Sequence, residues 1–588
     1  MLCSIKCSPG EKARTVMVPS FVMSLAASTI FLESCKEQPV HSGSSTAHSK
    51  IETVHSIFSV TNRDVLLPFT WGAITKGTAH DPQRLEDLTG DSANLHPLIL
   101  GSTAFTLLLD GHENDDTLKL SQGKDLLDFL IQYPYLSEVE ASVLFLYPFP
   151  FGDYPGMWWS GMANSVIALA FVTGYDIFRE VEYWEWGLRS LAGSIRPIEE
   201  NGSALDIAPD SRWYFEYVRD GLSVDNAKFV LNGFLLNLIV VKIFERITGD
   251  SYYEEAFVTG VNGLKHNSDR FYYPDMEWTY YMLNPLTIES VHYAIYDIML
   301  YDALFILTND VFFAQEARIR RGILKMEYPI MKLNDRHMFS LIGPPHPYWI
   351  DTYGIGIHFW SGGKVFRSGT AVNPKDMDIP ILERAFILAD NIGHFDSARI
   401  YSVYYGDSCW LYTVTPDEID VIDKHVAVEK IPYGLSAMRQ ALIISNNLFL
   451  KCSQDTGLIR GTAVLTFDSP IDVKANKFFA CLVNPGVAIE SVLVSLVDVN
   501  ESNTYRYYKP LHVDTLNLVL LNWMGFRNIG ATDLSSVTKL YLDFYFNPGS
   551  ADCLWKIDLS ELFLIRDAYS LYEWVGSNSF FLNEETTH

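Results

Sequence analysis

The stretch FVLNGFLLNLIVVKIFERITGDSYYEEAFVTGVNGL, residues 229–264, decides the fold. From Phe229 to Ile247 it is apolar on nearly every side, and a helix of that kind is stable only when it is buried all round. Thr248-Gly249-Asp250 then interrupts it, and a glycine after a helix supplies the left-handed residue that lets the chain turn back. The second half mixes Glu254 and Glu255 with apolar positions, the pattern of an amphipathic partner covering the first helix.

The same plan recurs on both sides. MANSVIALAFVTGYDIFREVEYWEWGLRSL (162–191) breaks at Thr173-Gly174, and VHYAIYDIMLYDALFILTNDVFFAQEARIRRGILK (291–325) breaks at Thr308-Asn309-Asp310. An earlier pair, residues 96–131, follows the plan more loosely around Asp110-Gly111. Repeated helical hairpins close into an α/α toroid or stack as a solenoid. Either way, one domain of helical hairpins is expected over residues 51–335. Between the hairpins run long, aromatic-rich loops at 144–161, 195–228 and 268–290, and loops of such length inside a compact domain are usually functional.

Beyond residue 460 the apolar pattern changes to period two. SVLVSLVDVN (491–500), TYRYYKPL (504–511), LNLVLLNW (516–523), KLYLDFYFN (539–547) and LWKIDLSELFLI (554–565) are short strands separated by turn formers, which predicts an antiparallel β-sandwich over 461–588. Residues 336–460 are expected to connect the two and to be partly β, with YWIDTYGIGIHFWSGGKVF (348–366) as their glycine-punctuated strand segment. The order of the C-terminal strands resembles jelly-roll carbohydrate-binding modules. That resemblance makes Tyr505, Tyr507 and Trp523 the candidate sugar platform, with core packing as the alternative for each.

At the N-terminus Lys6, Lys12 and Arg14 precede the apolar run VMVPSFVMSLAASTIFL (16–32), the layout of a secretory signal. Leu32-Glu33-Ser34-Cys35 resembles a bacterial lipobox, so residues 1–35 are expected to be a signal with Cys35 lipidated and 36–50 a polar linker. A cell-envelope lipoprotein or a secreted protein follows, held to a membrane only by its lipid. Cys409, Cys452, Cys481 and Cys553 fit no metal motif, and both disulfide pairing and buried thiols stay open.

The chain has 588 residues and a formal net charge of −27, which excludes nucleic acid as a partner, because phosphate contacts need clustered cations. Its 32 Tyr, 35 Phe and 13 Trp suit sugar faces as well as a core. No metal or cofactor pattern stands out.

The chemistry concentrates at RWYFEYV (212–218), which sets Glu216 beside Tyr217 just ahead of the 229–247 helix. Together with WWSGMANSVIALAF, the Leu-Asn-Gly-Phe of residues 231–234, RFYYPDMEW and SVHYAIYDIML, this stretch resembles the D-glucuronyl C5-epimerase family over roughly residues 90–325. The resemblance implies an α/α toroid that removes and returns the C5 proton of uronic acid residues in a polysaccharide, without a cofactor. It makes Glu216, Tyr217, Tyr273 and His292 the catalytic candidates. Substrate-binding candidates are Arg212, Arg219, Arg270, Trp159, Asn164, Asn232 and Tyr272.

The chain departs from the family pattern at Val291, which stands where the third tyrosine is expected, and Tyr293 and Tyr296 are the nearby substitutes. A phenol of ordinary pKa near 10 is a poor base at neutral pH, so the three arginines are also expected to lower it and to clamp the uronate. The same parts suit a polysaccharide lyase, with His292 as acid, or an α/α glycoside hydrolase with a carboxylate pair drawn from Asp153, Glu216, Asp275 and Glu277. A non-catalytic glycan-binding lipoprotein is the remaining alternative.

Overall fold

The computed structural model describes residues 54–70, 72–73, 88–90, 92–139, 141–273, 278–289 and 291–327, and beyond them the strands and joining residues that lie between 331 and 574. The proposed signal, Cys35, the linker, Trp523, Asp275 and Glu277 lie outside the described residues.

Among the described residues, four helical hairpins follow one another. They are α1 (Pro97–Glu113) with α2 (Thr117–Ile131), α3 (Gly161–Phe178) with α4 (Val181–Ile195), α5 (Leu231–Thr248) with α6 (Ser251–Asn267), and α7 (Val291–Thr308) with α8 (Val311–Glu327). The first member of each hairpin is the apolar one. Burial runs without a break from Gly161 to Gly174 in α3 and from Leu231 to Val241 in α5. These inner helices pack in chain order, α1 on α3, α3 on α5 and α5 on α7. A single helical turn at Arg63–Leu66 packs on α7 and the next turn, Leu67–Thr70, packs on α1, so the N-terminal segment joins the two ends of the row. There the Tyr296 hydroxyl donates to the Pro68 carbonyl at 2.8 Å. Among the described residues α3 alone is long and apolar enough to cross a membrane, and it is an interior helix of this row.

Two of the expected breaks fall elsewhere. Gly249 (φ 65°) and Asn309 (φ 56°) do turn the chain after α5 and α7 in the left-handed conformation. Gly174, however, lies inside α3, and the reversal waits for Arg179 at φ 61°. The glycine answers a packing demand: a Cβ there would lie 2.3 Å from Leu127 Cδ1 on α2. Gly111 is likewise inside α1, where a Cβ would come within 2.8 Å of Leu120 Cδ2. A glycine in an apolar run marks either a turn or a close helix crossing, and the local pattern does not separate the two.

The described strands between residues 331 and 421 form two four-stranded sheets. One contains the hairpin Tyr353–Ser361 and Lys364–Thr370, closed by Gly362 and Gly363 at φ 57° and 76°. The glycines suit the tight primed turn that a two-residue hairpin needs. Further on stand two antiparallel sheets, five-stranded and six-stranded, holding the five strands foreseen after residue 490. They begin at Val428–Lys430, ahead of the expected boundary at 461, because Tyr433–Arg439 pairs in continuous register with the long strand Ile459–Ile471. Buried residues of both sheets belong to the same continuous core as the inner helices.

Candidate functional site

Glu216 and Tyr217 lie on the loop between the strand Ser211–Tyr214 and α5, and backbone hydrogen bonds hold that loop against the start of α3. Phe215 carbonyl accepts from Gly161 N–H at 3.0 Å, while Trp159 and Val218 exchange N–H···O bonds at 3.0 and 2.9 Å. Phe215 N–H also donates to the Ser203 carbonyl at 2.8 Å. A loop pinned on both flanks holds its two side chains in one place.

Behind Glu216 stands Gly233, in the first turn of α5. A Cβ at residue 233 would lie 2.5 Å from Glu216 Oε2 and 3.1 Å from its Cβ, so the glycine makes the notch in which the carboxyl sits. Among the described residues Oε2 has no hydrogen-bond partner and no contact with solvent. Burial therefore pushes the Glu216 carboxyl up to about 7, opposed in part by a hydrogen bond from Tyr217.

Aromatic rings surround Tyr217. Phe151 stacks on it at 5.3 Å between centroids, and Trp158 and Tyr154 stand at 5.7 and 5.9 Å. Trp158 is in turn stacked on Tyr147 at 3.8 Å. Two further tyrosines come from distant sequence. Tyr281, on the strand Trp278–Leu283, stacks at 4.6 Å on Tyr293, in the first turn of α7. Burial first, then the charge of Glu216, raises the Tyr217 phenol well above its usual value, and a hydrogen bond from Tyr281 works the other way. Tyr281 is raised for the same leading reason. Glu216, Tyr217, Tyr281 and Tyr293 thus bear on one another's ionisation and make one cluster. The expectation of an arginine-lowered phenolate is corrected here, since Tyr217 is a neutral phenol beside a carboxyl group of near-neutral pKa.

Cations border the cluster at one edge. Lys228 Nζ lies 4.5 Å from the Tyr154 ring centroid and 6.0 Å from that of Tyr217, and it pairs with Asp153. Arg219 lies over Tyr154 at 5.2 Å and donates to the Asp153 carbonyl at 3.1 Å. Of the three arginines expected to clamp a carboxylate, Arg219 alone stands at this edge. Arg212 pairs with Asp206 at 2.7 Å across its own hairpin, and Arg270 donates to Asn267 Oδ1 at 2.6 Å with its guanidinium over Phe229.

Other candidates are braces rather than sugar contacts. Asn164 is fully buried, donating to the Val143 and Ser190 carbonyls at 2.6 and 3.3 Å, which ties α3 to its covering strand and to α4. Trp159 is 7% exposed and donates to the Gly202 carbonyl at 3.0 Å. Asn232 is 3% exposed and accepts from Gly233 N–H at 2.7 Å. Tyr296 is buried against Pro68, which leaves Tyr293 as the α7 tyrosine in the cluster. Tyr272 is exposed, on the short strand Tyr272–Tyr273. The backbones of Tyr273, His292, Tyr505 and Tyr507 lie in described elements, but their side chains are outside the described residues. For a hydrolase, Asp153 is an exposed carboxylate already paired with Lys228.

Sequence reasoning missed Tyr281, Lys228 and Phe151. Tyr281 and Lys228 lie in the long loops already suspected, yet nothing in their immediate neighbours distinguishes them. No group of three His, Cys, Asp or Glu side chains suited to a metal ion occurs among the described residues.

The described helices and this cluster together define a helical-hairpin protein with one carboxyl and three tyrosines gathered at an inner-helix entrance. Residues 144–321, the segment that builds the cluster, match the family model described as D-glucuronyl C5-epimerase C-terminus. No curated protein sequence matches the chain. Solved structures similar to it include the GH76 α-mannanase of Bacteroides thetaiotaomicron, at 12% identity over 45% of this chain and 60% of that one with a TM-score of 0.28. The cellobiose 2-epimerase of Spirochaeta thermophila is 12% identical over 46% of this chain and 74% of its own, with a TM-score of 0.31. A family 11 carbohydrate-binding module from Clostridium thermocellum is 10% identical over 24% of this chain and 98% of its own, at 0.19. The chain spans 24% of the PfGH50B chain, which it also resembles, and so less than two thirds of the first of these structures.

Proposed function

We propose that the chain is a uronyl C5-epimerase, built on an α/α toroid, that acts on glucuronate- or iduronate-type residues within a polysaccharide. The observation that carries this reading is the gathering of Tyr217, Tyr281 and Tyr293 beside the Glu216 carboxyl in its Gly233 notch, inside the segment that matches the epimerase family. Removing a C5 proton at neutral pH needs an acceptor whose own pKa is close to neutrality, and the Glu216 carboxyl, pushed up to about 7, meets that condition. Tyr217 stands as a relay: its hydroxyl takes the C5 proton as it passes its own to Glu216. The stacked Tyr281–Tyr293 pair supplies phenol groups for the return of a proton. Tyr293 takes the part that Val291 leaves open.

The test is one incubation of the purified full chain with an unsulfated glucuronic acid polymer in deuterated water, read by NMR. Deuterium is expected to enter C5 with no shortening of the polymer. Unsaturated uronate ends would replace this reading with a lyase, and an unchanged polymer with a glycan-binding protein. A cell-envelope location, reached through the 16–35 segment, belongs to the same proposal.

A further inference from the structure

Lys228 and Arg219 stand at the edge of the tyrosine cluster, and both are tied to Asp153. The Lys228 side chain is only 16% exposed, and its ammonium lies against the faces of Tyr154 and Tyr217. Its carboxylate partner, Asp153, is in contrast 63% exposed at the side chain. Asp153 sits at the tip of a two-residue turn, Gly152-Asp153, closed by reciprocal N–H···O bonds of 2.9 Å between Phe151 and Tyr154. Gly152 takes a left-handed φ of 59° to form it. The turn thus carries a single carboxylate from solvent onto a sheltered cation, and the Arg219 guanidinium meets the backbone carbonyl of that same residue. An exposed carboxylate on a sheltered ammonium is exchangeable: another carboxylate reaching the same edge offers the cation equivalent pairing, and Asp153 loses little by returning to water.

We propose that Lys228 and Arg219 form the recognition site for the carboxylate of the substrate's uronate residue, and that Asp153 holds the place this carboxylate takes, as a built-in competitor. The inference rests on the uronate reading above and names the side chains that select its charge. It also accounts for how a chain of net charge −27 holds an acidic polymer, through two cations set beside the rings rather than through a basic surface. Lys228 touches the substrate's carboxylate and not the reacting carbon, so it is a binding residue.

The test measures affinity by titration calorimetry, using the full chain with an unsulfated glucuronic acid polymer and with the same polymer after reduction of its carboxyl groups to alcohols. Lys228→Gln is expected to weaken binding of the acidic polymer by about tenfold or more, the size of a lost charged hydrogen bond. Asp153→Asn is expected to tighten it several-fold by removing the competitor, while Lys228→Arg keeps most of the wild-type affinity. Both Lys228→Gln and Asp153→Asn should leave the weak binding of the reduced polymer where it was. Unchanged or weaker binding of the acidic polymer by Asp153→Asn overturns the proposal, as does an equal loss on both polymers for Lys228→Gln or no binding of either polymer by the wild type. If the expected pattern appears but no deuterium enters C5, the carboxylate site stands and the epimerase reading falls.

Discussion

Replacing Glu216 by glutamine separates the electrostatics of the site from its packing, because the two side chains have nearly the same shape and only one of them titrates. In the folded protein burial pushes this carboxyl up to about 7 from an ordinary value of 4.5. A raised carboxyl pKa means that the folded state holds the proton more tightly than the unfolded chain does. The wild type therefore loses stability as pH rises from 4.5 to about 7, and the loss is constant above that. At ~1.4 kcal/mol per pH unit, the interval from 4.5 to about 7 is worth up to about 3 kcal/mol. Glu216→Gln removes this titration, and the phenols that its charge raises, Tyr217 and Tyr281, stay protonated up to pH 8 in both proteins. The variant should match the wild type near pH 4.5 and exceed it by up to about 3 kcal/mol at pH 8, a gain of roughly 6–12 °C in Tm if the helical region unfolds as one unit. Thermal unfolding of both proteins at half-unit pH steps from 4.5 to 8 reads this directly. A difference that is flat across the range, or that shrinks toward high pH, refutes the claim that Glu216 is a buried carboxyl without a cation. The same variant should lose C5 deuterium exchange while gaining stability, which is the signature of a group kept for chemistry rather than for folding.

Gly233→Ala puts a Cβ 2.5 Å from Glu216 Oε2, so exchange should fall by at least about tenfold, and the protein should be destabilised even though alanine favours a helix by about 0.5–1 kcal/mol; thermal unfolding and the NMR assay measure both. Tyr217→Phe removes the relay hydroxyl from a ring already held by Phe151, Trp158 and Tyr154, and is expected to abolish exchange with less than about 1 kcal/mol lost in urea unfolding. Away from the cluster, Arg320 lies 3.7 Å from the fully buried Asp297, whose carboxyl oxygens have no hydrogen-bond partner among the described residues. Arg320→Met should cost about 3–5 kcal/mol in urea unfolding at pH 8, and less at pH 5, where Asp297, pushed up to about 6 by burial, takes a proton instead.

How much was legible in the residues differs from part to part. The hairpins are read correctly because an all-round apolar helix has one physical solution, burial behind an amphipathic partner, and that solution does not depend on distant residues. The five C-terminal strands are legible for the same reason at period two, and so is the glycine-turned hairpin that starts within 348–366, whereas the start of the last two sheets is not, because Tyr433–Arg439 finds its partner only in the finished sheet. Glu216 and Tyr217 stand out in sequence since three aromatics, Trp213, Tyr214 and Phe215, crowd up against them. The arginines mislead: each has an acid nearby in sequence, and only the fold decides that Arg212 turns to Asp206 while Arg219 turns toward Tyr154.

The amino-acid order alone determined that this chain makes helical hairpins followed by sheets, and it singled out residues 216 and 217 as a crowded pair. Those are consequences of local periodicity and local composition. The tertiary structure decided which tyrosines join Tyr217, which cation faces it, and whether a glycine turns the chain or makes room. Tyr281 and Tyr293 meet Tyr217 only because α5 and α7 pack side by side and bring their entrance loops together. A contact between residues more than sixty positions apart is a property of helix packing, and no window of neighbouring residues contains it.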